Sequence, residues 1–168
     1  MSKYLVVVAD TQRARFFTLQ DSLTPEIESS PRLVEEQNLL NSEGSKSGIK
    51  TRGSSASGSN HSGSGGVYAF DNHQNKRALD ELRRFTGTIM KEALKQAKKA
   101  SAHTLIFVAG RKTLGVIRAA VANITQKGLD ILDCDLEITG EIPSKIHALL
   151  ARRKLVPAMK RPSQKVRK

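Results

Sequence analysis

Between Asn41 and Gly66 the chain cannot build a core. Sixteen of these 26 residues are glycine or serine, none is aromatic, and Ile49 is the lone large aliphatic. A stretch of that length inside a compact domain is expected to be either a flexible linker or a loop that orders on a partner. The fold must then come from the flanks. Upstream, residues 3–9 form a β-branched run suited to a strand buried on both faces, Asp10 to Gln12 reads as a turn, and Arg13 to Leu19 pairs back as a hairpin. Residues 32–40 supply a weaker third strand.

Downstream the period changes. From about Asn75 to Lys99, Ala78, Leu79, Leu82, Phe85, Ile89, Met90, Ala93, Leu94 and Ala97 recur at intervals of three and four, the buried stripe of a long amphipathic helix. His103 to Ala109 is a buried strand, Lys112 to Asn123 a helix, and Leu129 to Ile138 contains a further strand. Ser144 reads as the N-cap of a last helix carrying Ile146, Leu149 and Leu150. The order β-β-β-α-β-α-β-α predicts an α/β fold: a five-stranded mixed sheet of order 3-2-1-4-5, a meander followed by two right-handed crossovers, with helices on both faces. Residues 1–151 then form a single domain containing the loop at 41–75, and 152–168 a basic tail that is disordered until it meets an anion.

The 168 residues carry 28 Lys and Arg against 16 Asp and Glu, a formal net charge of +12. Such a balance favours polyanionic partners. The charge is concentrated: segments 76–99 and 145–168 hold +14 between them, and the remainder is slightly acidic. Arg77, Arg84, Lys91, Lys95 and Lys98 line the predicted helix opposite its apolar stripe, and Arg152, Arg153, Lys154, Lys160 and Arg161 open the tail. Cys134 is the only cysteine, so no intramolecular disulfide or multi-cysteine zinc site is available. The apolar run from Leu5 to Ala9 is too short for a signal sequence or a membrane span, which predicts a cytoplasmic protein.

The topology is the one used by ribonuclease-H-like nucleases, whose two-metal chemistry needs several carboxylates at the carboxyl end of the sheet. Asp10 stands in the right place, and Asp80 or Glu81 offers a second acid. The fourth strand, however, ends in Ala109-Gly110-Arg111-Lys112, with cations where an acid is needed. Asp133, Asp135 and Glu137 read as the exposed face of the fifth strand. His61, His73, His103 and His147 fall in separate elements, so neither a metal nor a cofactor is expected. Gly110-Arg111-Lys112-Thr113, between a buried strand and a helix start, suits either a phosphate or a plain basic turn.

Three segments carry a family resemblance: Val8-Ala9-Asp10-Thr11-Gln12-Arg13-Ala14-Arg15-Phe16-Phe17, Ala109-Gly110-Arg111-Lys112-Thr113-Leu114-Gly115-Val116-Ile117-Arg118, and Asp135-Leu136-Glu137-Ile138-Thr139. With the Gly-rich loop before a long helix, they resemble the bacterial host attachment protein family over roughly residues 3 to 151. That family is in turn similar to the middle domain of archaeal and eukaryotic peptide-chain release factors, where a Gly-Gly-Gln loop positions water against the peptidyl-tRNA ester. Gly65-Gly66-Val67 occupies the matching place, but Val67 has no amide and Asp71 stands where the factor pattern has Arg. The resemblance thus implies an RNA-binding module acting at the ribosome, on ribosomal RNA or on tRNA, with no catalytic residue retained. Its contacts would come from Arg77, Arg84, Lys91, Lys95, Lys98, Arg111, Lys112 and the tail cations. A host-attachment or interaction protein without catalysis is the alternative, with a host-cell component as partner, and a peptidyl-tRNA esterase is a third reading.

Overall fold

The computed structural model describes residues 3–24, 27–42, 67–122, 124 and 128–162, and from 67 to 74 the backbone only. Its elements are β1 (Tyr4–Ala9), β2 (Arg13–Gln20), β3 (Arg32–Leu40), α1 (Val67–Ala100), β4 (Thr104–Ala109), α2 (Arg111–Val121), β5 (Asp130–Asp135) and α3 (Pro143–Arg152). They form one five-stranded sheet in the order β3-β2-β1-β4-β5, as the sequence predicts. β1 pairs antiparallel with β2 and parallel with β4, and β4 pairs parallel with β5. The central strands β1 and β4 are covered on both faces, which is why they read as continuous apolar runs rather than alternating ones.

The two faces hold separate cores. On one, Leu5, Val7, Phe16, Leu105 and Phe107 pack against Phe85, Ile89 and Met90 of α1 and Leu114 and Ile117 of α2. On the other, Val6, Phe17, Ile106, Val108 and Cys134 pack against Ile146 and Leu150 of α3. Each fully buried side chain of this size contributes about 1.5–3 kcal/mol relative to exposure. The result is three layers with two helices on one face and one on the other.

Four local features depart from the sequence reading. First, α1 begins at Val67, eight residues before the periodicity marks it, so the end of the expected 41–75 loop is helical. Ala78 is exposed rather than part of the buried stripe, because the helix gains a core beneath it only from about Leu82 onward. Second, α3 starts at Pro143 behind an extended Ile142, so Ser144 is inside the helix instead of capping it. Proline at the first helical position needs no N–H there, which makes it a natural start.

Third, β5 ends at Asp135, and Glu137 lies beyond it. Fourth, the first part of the expected disordered tail packs on the domain. Val156 is buried in the α3 core, the Pro157 carbonyl accepts from Nε2 of the buried His147 at 2.8 Å, and Lys160 exchanges both backbone hydrogen bonds with Ser30. A few well-placed apolar and backbone groups outweigh the polar composition of the segment.

Candidate functional site

The three segments that carry the family resemblance meet at one place, the carboxyl end of the parallel strands. In open α/β sheets this edge is the usual position for ligands. A cleft of about 540 Å³ opens there, lined by Asp10, Gly110, Lys112, Glu137, Thr139 and Glu141 among others. After β5 the chain crosses the strand ends as a strap, beginning where the Leu136 N–H donates to the Ala109 carbonyl.

Two side chains of the β1–β2 hairpin hold this strap. Asp10 accepts from the Gln12 N–H at 2.7 Å, the Arg13 N–H at 2.8 Å and the Thr139 hydroxyl at 2.6 Å. Its carboxylate therefore closes the turn and fastens the strap. Arg15 donates from Nη1 to the Thr139 and Glu141 carbonyls, and from Nε and Nη2 to the two oxygens of Glu35. A bulge in the β2–β3 pairing at Phe16/Phe17 places Glu35, rather than Glu36, opposite Phe17 and so on Arg15's face. The hydrogen bond from Arg15 holds the Glu35 carboxyl below the usual range, and the same bond raises the guanidinium further. Arg15 also stacks over Phe17 at 4.9 Å from the ring centre.

Glycine at 110 leaves room for a neighbouring acid. A Cβ at that position would stand 2.2 Å from Glu137 Oε1 and 2.7 Å from its Cγ, so the Glu137 side chain occupies the space over the start of α2. A phosphate approaching Gly110-Arg111-Lys112-Thr113 meets this carboxylate first. Arg111 is turned outward, its Nε 2.9 Å from Asp135, and Arg118 bonds Asp133, an interaction that raises the Arg118 pKa. Asp133 and Asp135 of β5 are thus ion-pair partners of α2. Among the described residues no three His, Cys, Asp or Glu side chains group closely enough to hold a metal ion. Burial pushes the Cys134 thiol up, partly offset by Arg153 beside it.

The predicted cations divide into groups. Arg77, Arg84, Lys91 and Lys98 recur every seven residues on α1, and all four are exposed. At 1.5 Å per residue they span about 31 Å, drifting about 20° around the helix with each interval. Lys95 stands beside this row, 3.5 Å from Glu92. Lys112 borders a groove between α1 and α2 that Arg83 also lines. Arg152, Arg153 and Lys154 lie at the end of α3 on the opposite face. Lys160 and Arg161 are carried to the amino end of the sheet, where they share a hollow with Lys3. Gly65 and Gly66 lie outside the described residues, and Val67 is the first residue of α1. The sequence reading missed Lys3, Lys99 and the Arg15–Glu35 clamp. Position in the family-like segment was the one signal that pointed at Arg15.

Among the described residues no helix is long and apolar enough to cross a membrane. No curated protein matches the chain. A family model described as "Protein required for attachment to host cells" matches residues 5–150.

Proposed function

The chain belongs to the family of proteins required for attachment to host cells, and from that premise we propose that it is a binding protein, without a reaction of its own, that engages an anionic partner through α1. The observation that carries this reading is the row Arg77, Arg84, Lys91 and Lys98, four exposed cations at seven-residue intervals on one continuous helix. Surfaces of this kind gain affinity by releasing counterions from a polyanion and steer its approach. The carboxyl-edge cleft supports a non-catalytic role. Asp10 is committed to three hydrogen bonds that close the turn and fasten the strap, so the acid that the nuclease reading placed at this edge is holding the fold.

Ribosomal or transfer RNA is the partner for which the sequence resemblance speaks, and cosedimentation with ribosomal fractions at two salt concentrations tests it. The broader reading is tested by retention on immobilised tRNA and on heparin. The protein should be retained at low salt and released as salt rises, and a K91Q/K98Q variant should elute earlier. Failure to bind either polymer at low salt would remove the proposal.

A further inference from the structure

The tail cations and the α1 row, which look unrelated in the sequence, approach one another at the amino end of the sheet. α1 runs back along the sheet and ends where β4 begins, bringing Lys95 and Lys99 to this edge. The backbone bonds between Ser30 and Lys160 bring the C-terminal segment to the same edge, and Lys3 enters it just before β1. Two hollows lie here. One, of about 620 Å³, includes Lys95 and Lys99 in its wall; the other, of about 480 Å³, includes Lys3, Lys160 and Arg161. Leu19 and Asp21 line both, so the hollows adjoin. Asp21 stands between them; of the other acids in the first hollow, Glu92 pairs with Lys95 and Glu36 accepts from the Thr18 hydroxyl and the Gln20 amide.

We propose that these five cations extend the α1 row into one continuous track, and that the track takes the phosphate backbone of a double-helical nucleic acid. The inference rests on the reading of α1 as a binding surface. A row of about 31 Å approaches one turn of a B-form DNA duplex, about 34 Å. Sequence-neutral binders of single strands rely on aromatic platforms for the bases. Among the described side chains Phe16, Phe17, Phe85 and Phe107 are buried, and Tyr4, half-buried in the wall of the second hollow, offers a single ring rather than a platform for successive bases. A lipid surface would be met by large apolar side chains between the cations. On α1 between Lys91 and Lys99 the exposed positions are Lys91, Lys95, Lys98 and Lys99 themselves, and the exposed Leu23, Ile27 and Met159 belong to the β2–β3 connection and the C-terminal segment, off this helix. Along α1, what remains is recognition of a rigid array of phosphates by charge alone.

The test uses the full chain and four probes: a 25-base-pair DNA duplex, its single strand, heparin and vesicles containing phosphatidylserine. The amino-edge variant K3Q/K99Q/R161Q changes exposed side chains only, and K145Q, on α3 beside Glu141, serves as a control for diffuse charge. The duplex should bind best. The triple variant should flatten the slope of log K against log salt by about 2.7, three contacts at about 0.9 each, and K145Q should leave it unchanged. Tighter binding to the single strand, heparin or vesicles overturns the duplex assignment. An unaltered slope in the triple variant, with loss of binding in K91Q/K98Q, overturns the extended track while leaving α1 as the surface. If no probe binds, the reading of α1 fails as well.

Discussion

Arg15 carries more of the carboxyl edge than any other described side chain. Its guanidinium joins β2 to β3 through Glu35 and to the strap through two carbonyls, with Phe17 beneath it. A planar fork is needed for that set, so a lysine cannot substitute. Arg15→Lys is expected to cost about 1.5–3 kcal/mol in urea unfolding, since charge-assisted bonds are lost and the strap carbonyls are left short of donors. The linkage to pH has a definite sign. Because the folded Glu35 carboxyl sits below its unfolded value, its stabilisation is present above the ordinary carboxylate range and is lost as pH falls through the folded value. In Arg15→Ala the wild-type loss of stability below about pH 4 should be shallower, as chemical denaturation at several pH values would reveal. None of this was legible in advance, because alternation along a strand marks a residue's face without naming a partner from another element. Asp10 was half legible: the sequence showed its turn, and the structure added Thr139.

At the scale of elements, the strands and helices followed from their periods. The β-branched runs of β1 and β4 could only be central strands, and the stripe from Leu82 to Ala97 could only be a helix lying on a sheet. Termini were less legible. Residues 71–77 carry no apolar side chain, so the repeat could not show that α1 reaches back to Val67, and the segment after α3 was hidden by its charge. That segment now supplies its own prediction. Val156→Asp places a charge in the α3 core and breaks the packing that keeps the Pro157 carbonyl on His147. The expected loss is about 2–4 kcal/mol, combining one buried apolar side chain with one hydrogen bond. A melting temperature equal to wild type would mean that the segment does not dock. At the other edge, Gly110→Ala has a permitted backbone, φ −66°, but must displace Glu137. It should therefore fold while changing the carboxyl-edge cleft, which amide chemical-shift changes confined to Gly110, Glu137 and their neighbours would show.

For the molecule as a whole, the net charge of +12 is an asymmetry rather than an average. The strap and β5 direct their acids to Arg111, Arg118 and Lys145, which neutralises the carboxyl edge. The row along α1 and the cations at the amino edge face solvent. The sequence showed how much charge there was and on which helix. It did not show that Lys3, the end of α1 and Lys160 converge, since that needs the sheet order and the docking of the last segment together. The most direct test of the account is the salt dependence of nucleic-acid duplex binding by the intact protein. Nine phosphate contacts, four along the row and five at the amino edge, predict a linear plot of log K against log salt with a slope of about −8, reduced by about 2 in the α1 variant K91Q/K98Q. A slope near zero, or one unchanged in that variant, would contradict a binding protein that works through its aligned cations.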